Sequence, residues 1–125
     1  MKNIIIADDD PAMRDVFQII FQRSGYTVIM YSSGEALMKD KFELPDLFIL
    51  DKQLSGVDGL DVCRHLKKQE STKNIPVLIT SASPYIENAA TEAGAEAFIE
   101  KPFKIKELIN TVEKILNENY SAAVA

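Results

Sequence analysis

Three short segments of the chain, residues 4–7, 47–50 and 77–79, are apolar at consecutive positions rather than at alternate ones. A strand with one face in water alternates apolar and polar residues, whereas a strand covered on both faces is apolar throughout. Such strands are typical of parallel sheets, because crossover connections place helices on either side of the sheet. The three segments therefore predict strands of a parallel sheet, and weaker apolar runs at 27–31 and 97–99 predict two more.

Segments with helical periodicity separate these runs. The first predicted helix has Asp10 as its N-cap, Pro11 at its first position and Gly25 at its end, and one apolar stripe: Met13, Val16, Phe17, Ile20 and Phe21. The last predicted helix begins just after Pro102 and also has one apolar stripe: Ile105, Leu108, Ile109, Val112, Ile115 and Leu116. Weaker patterns predict helices at about 34–41, 60–69 and 85–93.

This fivefold alternation of strand and helix predicts a doubly wound α/β domain, with a five-stranded parallel sheet and helices on both faces. The 125 residues fit one domain, which we place at 1–120, with a short flexible tail at 121–125. Cys63 is spaced like a core residue of its helix, between Leu60 and Leu66, so we expect it to be buried. His65 is expected on the helix surface.

Composition limits the partners and the location that we expect. The net charge of −5, without a long Lys/Arg cluster, argues against direct nucleic-acid binding. A single cysteine cannot form an internal disulfide, and no apolar run approaches the length of a membrane span. No signal peptide is evident at the N-terminus, so we expect a soluble cytoplasmic protein.

Reactive side chains follow four of the five predicted strands. Residues 8–10 are three aspartates after the first strand, Asp51 follows the third, Ser81 the fourth and Lys101 the fifth. In open parallel sheets, ligands bind beyond the carboxyl ends of the strands. These groups therefore fall on the edge of the sheet where a ligand site is expected.

Each of these residues also has an ordinary structural interpretation. Asp10 before Pro11 is most simply a helix cap, and Asp51 could form an Asx turn within its own loop. Ser81 and Lys101 indicate little when taken singly. Asp8 and Asp9 are harder to explain, because clustered carboxylates repel one another unless a cation neutralises them. The joint placement is what indicates a site.

The combination suits Mg²⁺-dependent phosphoryl chemistry. Mg²⁺ prefers oxygen ligands and is commonly held by one or two carboxylates with waters and a phosphate. A carboxylate beside such a cation, here Asp51, can act as a nucleophile toward phosphorus. A neighbouring ammonium and hydroxyl, here Lys101 and Ser81, can meet the oxygens of the incoming phosphoryl group.

Four segments in the correct order, residues 4–11, 50–59, 75–82 and 94–103, make the chain resemble the receiver domain of two-component response regulators. Within this family, the chain resembles stand-alone members similar to the chemotaxis regulators. The resemblance covers residues 3 to about 116 and implies a flavodoxin-like sheet with strand order 2-1-3-4-5.

The resemblance also implies roles for individual residues. Asp51 would accept a phosphoryl group from a phosphohistidine on a sensor histidine kinase or a phosphotransfer protein. Asp9 and Asp51 would bind Mg²⁺ by their side chains, Asp8 mainly through water, and Gln53 by its backbone carbonyl. Such a receiver is a phosphoryl acceptor that promotes its own phosphorylation and dephosphorylation, rather than an enzyme acting on a separate substrate.

The remaining implied roles concern the switch. Ser81 would turn its hydroxyl toward the phosphoryl group, Phe98 would move inward, and Lys101 would pair with a phosphoryl oxygen. The Lys101–Pro102 peptide bond would be cis. The fourth helix, fifth strand and fifth helix would then present a changed surface to a downstream protein target.

The sequence departs from the family pattern at several positions. Ser55 stands where the family normally has proline, and the segment 81–94 is about two residues short, which puts the output surface in question. Gln53 and Ser83, which flank the position of the attacking water, carry no charge. Two alternatives to a phosphoacceptor remain open: a degenerate receiver that acts without phosphorylation, and a Mg²⁺-dependent phosphatase. Gln53 disfavours the phosphatase, because its position would need a general acid.

Overall fold

The computed structural model describes the backbone of residues 2–124 and the side chains of residues 2–117. Five parallel strands form one sheet in the order β2-β1-β3-β4-β5, as the resemblance implied. The strands are β1 (Asn3–Ala7), β2 (Thr27–Tyr31), β3 (Leu47–Asp51), β4 (Val77–Ser81) and β5 (Ala97–Glu100). The predicted doubly wound, flavodoxin-like α/β fold is confirmed.

Two apolar layers cover the two faces of the sheet. Successive side chains of a strand point to opposite faces, so Ile4 and Ile6 lie in one layer and Ile5 in the other. Strands β3 and β4 are buried along their whole length, which explains why their apolar residues do not alternate with polar ones.

Helices connect successive strands, and a fifth follows β5. Their bounds are α1 (Pro11–Arg23), α2 (Glu35–Met38), α3 (Gly59–Lys67), α4 (Glu87–Glu92) and α5 (Ile105–Val124). Helices α1 and α5 supply Phe17 and Leu108 to one apolar layer, and α3 supplies Leu66 to the other. Asp10 caps α1 by accepting a hydrogen bond from the Ala12 N–H at 3.0 Å, as predicted.

The three weaker helix predictions were too long. The helix predicted at 34–41 covers only Glu35–Met38, because Asp40 adopts a left-handed backbone with φ of 58° that ends the helical path. The helix predicted at 60–69 ends at Lys67. The helix predicted at 85–93 covers only Glu87–Glu92, and Ile86 at its N-terminal boundary offers no capping side chain.

Cys63 is buried, as predicted, and burial raises the pKa of its thiol to about 11. His65 is half-buried rather than fully on the surface, and its Nε2 lies 3.0 Å from Asp40 Oδ1. Helix α5 continues to Val124, but the side chains from 118 onward lie outside the described residues, so the flexible tail at 121–125 stays a prediction. Among the described helices, none is both long and apolar enough to cross a membrane.

Candidate functional site

Three carboxylates meet at the carboxyl edge of the sheet. Asp8 follows β1 and Asp51 ends β3, and these strands are neighbours that pair Ala7 with Leu50. One oxygen each of Asp8, Asp9 and Asp51 lies within 4.8 Å of the others. Asp8 and Asp51 are only 1% and 8% exposed, whereas Asp9 is exposed. The sheet register therefore creates the acidic cluster that the sequence predicted.

Asp8 is held by contacts to both of its carboxylate oxygens. Its Oδ1 accepts a hydrogen bond from the Asp10 N–H at 3.0 Å, and its Oδ2 accepts one from Lys101 Nζ at 2.9 Å. The Arg14 guanidinium donates to the Asp8 backbone carbonyl at 2.8 Å, which fixes the chain where β1 turns into α1. Charge-assisted bonds of this kind give a buried carboxylate a defined orientation.

Lys101 brings a cation to the acidic cluster from the end of β5. Its backbone N–H donates to the Ser81 carbonyl at 2.8 Å, and the Lys101–Pro102 peptide bond is cis, as the resemblance implied. The ammonium lies 2.9 Å from Asp8 Oδ2 and 3.5 Å from Asp51 Oδ2. Among the described side chains, one ammonium pairs with two of the three clustered carboxylates, so excess negative charge remains for a further cation to neutralise.

Burial raises the pKa of Asp51 above its ordinary value, because desolvation disfavours the charged form. The Lys101 ammonium opposes this change, the Asp8 carboxylate adds to it, and a hydrogen bond from the Gln53 backbone lowers the pKa slightly. A cation bound beside Asp51 would add to the effect of Lys101 and favour the ionised, nucleophilic form.

The backbone of Asp51 is fixed by the loop that follows it. The Lys52 N–H donates to the Thr80 carbonyl at 2.8 Å, and the Gly59 N–H donates to the Lys52 carbonyl at 2.8 Å. A Cβ at position 59 would overlap the Asp51 carbonyl oxygen, so only glycine allows α3 to begin so close to β3. Asp51, the last residue of β3, thus lies at the carboxyl edge of the sheet.

An open cleft of about 540 Å³ lies over the cluster. Its lining residues come from the ends of four strands: Asp9, Asp10, Asp51, Gln53, Ser81, Ala82, Ser83 and Lys101. Ser81 is 2% exposed, and its Oγ accepts a hydrogen bond from the Ser83 N–H at 3.1 Å. Phe98 is half-buried against the same layer as Ile79, its partner on β4, and is not among these lining residues.

The contact of Lys101 with Asp8 was not predicted from the sequence, and neither were two further contacts of the cluster. Ser55 Oγ donates a hydrogen bond to Asp9 Oδ2 at 3.2 Å, although the sequence marked Ser55 only as a departure from the family pattern. Arg14 contacts the backbone of Asp8, and its place in the first turns of α1 was the only available signal. The three clustered carboxylates fit a hard divalent cation, since carboxylate oxygens are the ligands that such ions prefer.

Comparison with known proteins identifies a matching family model and related response regulators. The family model described as the response regulator receiver domain matches residues 4–113. The alkaline phosphatase synthesis transcriptional regulatory protein PhoP of Bacillus subtilis is 36% identical over 98% of this chain and 51% of its own length. The polar-differentiation response regulator DivK of Brucella ovis is 33% identical over 94% of this chain and 98% of its own length.

A solved structure shares the fold. The response regulator protein TrrA of Thermotoga maritima, solved in complex with Mg(2+)-BeF, is 30% identical, with a TM-score of 0.82 over 92% of this chain and 99% of that chain. The chain spans about half the length of several of its curated relatives, PhoP among them. Sequence, fold and acidic cluster agree, and the chain belongs to the response regulator receiver domain family of two-component systems.

Proposed function

We propose that this chain is a phosphoacceptor in a two-component phosphorelay and that Asp51 receives the phosphoryl group. The observation that carries the proposal is the position of Asp51, which shares a small acidic cluster with Asp8 and Asp9 and faces the Lys101 ammonium at 3.5 Å. The open cleft above this carboxylate leaves room for an incoming phosphoryl group.

Mg²⁺ is the cofactor that we assign to the acidic cluster. Asp9 and Asp51 would bind it by their side chains, Asp8 through water, and Gln53 by its backbone carbonyl. The ion would supply charge neutralisation for the phosphoryl oxygens. Its support is the donor set of three carboxylates, together with the Mg(2+)-BeF complex of the similar protein TrrA.

Asp51 is the nucleophile in the proposed transfer. One carboxylate oxygen of Asp51 attacks phosphorus, the new O–P bond forms as the P–N bond to the donor histidine breaks, and the histidine nitrogen retains the electron pair and takes up a proton. Lys101 would turn from Asp8 toward the phosphoryl oxygens, since the Asp8 carboxylate, which the ammonium now neutralises, would be neutralised by a bound divalent cation instead. Ser81 accepts from the Ser83 N–H and so keeps its own hydroxyl proton to donate to a phosphoryl oxygen.

The output would be a change in protein contacts. Recruitment of Ser81 and Lys101 by the phosphoryl group would vacate space that Phe98, on β5, would then fill by moving inward. The acceptor would promote its own phosphorylation and dephosphorylation and act on no separate substrate. We propose a cytoplasmic protein that takes the phosphoryl group from a sensor histidine kinase or phosphotransfer protein and signals to a protein target. Because the chain has a net charge of −5, we expect it to make no direct contact with nucleic acid.

The proposal is tested by incubating the chain with Mg²⁺ and acetyl phosphate and measuring its intact mass. We expect an added phosphoryl group that Asp51→Asn abolishes and that Asp15→Asn, an exposed control on α1, retains. Mg²⁺ binding without an adduct would instead favour the degenerate receiver. Continuous hydrolysis of a phosphomonoester would favour the phosphatase.

A further inference from the structure

Ser55 contacts the acidic cluster from the loop between β3 and α3. Its Oγ donates a hydrogen bond to Asp9 Oδ2 at 3.2 Å. The resemblance to receiver domains implies proline at this position, and a proline side chain has no hydroxyl to donate. This chain therefore has a contact to Asp9 that the family pattern itself does not provide.

Several contacts constrain the loop that carries Ser55. Ser55 forms a parallel β-bridge with Ser33 on the loop that follows β2. Gly56 comes next, with a left-handed φ of 82° that turns the chain away, and Lys52 pairs with Asp58 at 2.8 Å across the base of the loop. Serine can keep this conformation without the rigidity of proline, because the bridge and the ion pair constrain the loop.

The orientation of the Asp9 carboxylate is less restricted by burial than that of Asp8 or Asp51. Asp8 and Asp51 are buried, and Asp8 is oriented by hydrogen bonds to both oxygens. Asp9 is exposed, so its carboxylate can rotate through several orientations in water. Binding a cation would freeze this rotation, and a hydrogen bond that already selects one orientation lowers the entropic cost of binding.

We propose that Ser55 is a positioning residue for the metal site: its hydroxyl occupies one lone pair of Asp9 Oδ2 and restricts the orientation of the carboxylate, whose other lone pairs would be available to a cation. This inference rests on the proposed function, since it assigns Asp9 to Mg²⁺. Hydrogen bonds from outside the ligand set commonly fix the orientation of ligating carboxylates in this way.

The experiment measures Mg²⁺ affinity without any phosphoryl donor. The dissociation constant is obtained by titration calorimetry and by the shift of the residue 9 amide signal in NMR spectra. Three variants are compared with the parent chain: Ser55→Ala, which removes the hydroxyl; Ser55→Thr, which keeps it; and Ser33→Ala, a control that removes a hydroxyl from the other side of the same bridge. Thermal unfolding of each variant in EDTA reports any loss of fold.

We expect Ser55→Ala to weaken Mg²⁺ binding by up to about tenfold, the lower end for a contact of this kind, without lowering thermal stability. Ser55→Thr and Ser33→Ala should bind Mg²⁺ as the parent does. Unchanged or tighter binding by Ser55→Ala would overturn the inference, as would an equal loss in Ser33→Ala. If the parent itself bound no Mg²⁺, the assignment of a metal site in the proposed function would fail, and this inference with it.

Discussion

Replacing Lys101 with methionine removes the ammonium that pairs with the Asp8 and Asp51 carboxylates while keeping most of the volume of the side chain. The ammonium lies 2.9 Å from Asp8 and 3.5 Å from Asp51, and only 18% of the Lys101 side chain is exposed. With an effective dielectric constant near 20, the gross Coulomb attraction is roughly 6 kcal/mol toward Asp8 and roughly 5 kcal/mol toward Asp51. Desolvation of the three charges cancels much of this attraction. We therefore expect Lys101→Met to lower the free energy of unfolding by about 2–4 kcal/mol in EDTA.

Mg²⁺ should reverse this loss. In the parent chain, a cation must displace the ammonium from Asp8, whereas in Lys101→Met that competing ammonium is absent. The variant should therefore bind Mg²⁺ more tightly than the parent and gain more stability from it, because a ligand of the folded state adds about 2.7 kcal/mol at 100 times its dissociation constant.

The assay is urea unfolding followed by circular dichroism, in EDTA and in saturating Mg²⁺. Lys104→Met is the control, since Lys104 is an exposed lysine three residues further along the chain. A Lys101→Met variant as stable as the parent in EDTA would refute the reasoning, because Lys101 would then not balance the buried carboxylates. Equal stabilisation of both proteins by Mg²⁺ would refute the competition between ammonium and cation.

Three further predictions concern residues around the site and in the core. Because burial raises the pKa of folded Asp51 above its unfolded value of 3.8, ionisation of Asp51 costs stability as the pH rises through the folded pKa. Asp51→Asn should thus be more stable than the parent at pH 7 in EDTA, and urea unfolding should show this gain disappearing below about pH 4. Burial raises the pKa of the Cys63 thiol from 9.0 to about 11, so at pH 8 this thiol should react with Ellman's reagent at least about a hundredfold more slowly in the folded chain than in the urea-unfolded chain. The contribution of the buried thiol to the free energy of unfolding should be lost between about pH 9 and pH 11. Gly59→Ala should lower the free energy of unfolding in urea by about 3 kcal/mol or more, because the added Cβ would overlap the Asp51 carbonyl oxygen. Gly25→Ala should lower it by about 1 kcal/mol, because the added Cβ would meet no nearby atom but the backbone φ there is 86°.

The sequence predicted the sheet and the placement of the acidic cluster because both depend on strong, local signals. Apolar residues without alternation identify buried parallel strands, and parallel strands bring their carboxyl ends to one edge. The ends of β1 and β3 therefore had to place Asp8 and Asp51 near each other once the strands were neighbours. The strand order came from the resemblance rather than from the residues, since no local pattern specifies it.

The parts that the sequence did not predict depend on single contacts between distant segments. Helix α2 ends early because Asp40 takes a left-handed backbone, which aspartate tolerates but does not require. The contacts of Ser55 with Asp9 and of Lys101 with Asp8 join residues that are 46 and 93 positions apart. Such contacts follow from loop conformation and side-chain rotamers, which periodicity and composition do not encode.

The most direct test of the central claim is to locate the phosphoryl group on the chain. After reaction with acetyl phosphate and Mg²⁺, borohydride reduces an aspartyl phosphate to homoserine, and peptide mass spectrometry then identifies the modified position. We predict homoserine at position 51 and at none of positions 8–10. Modification at Asp8, Asp9 or Asp10 in place of Asp51, or no modification in a chain that binds Mg²⁺, would contradict the account.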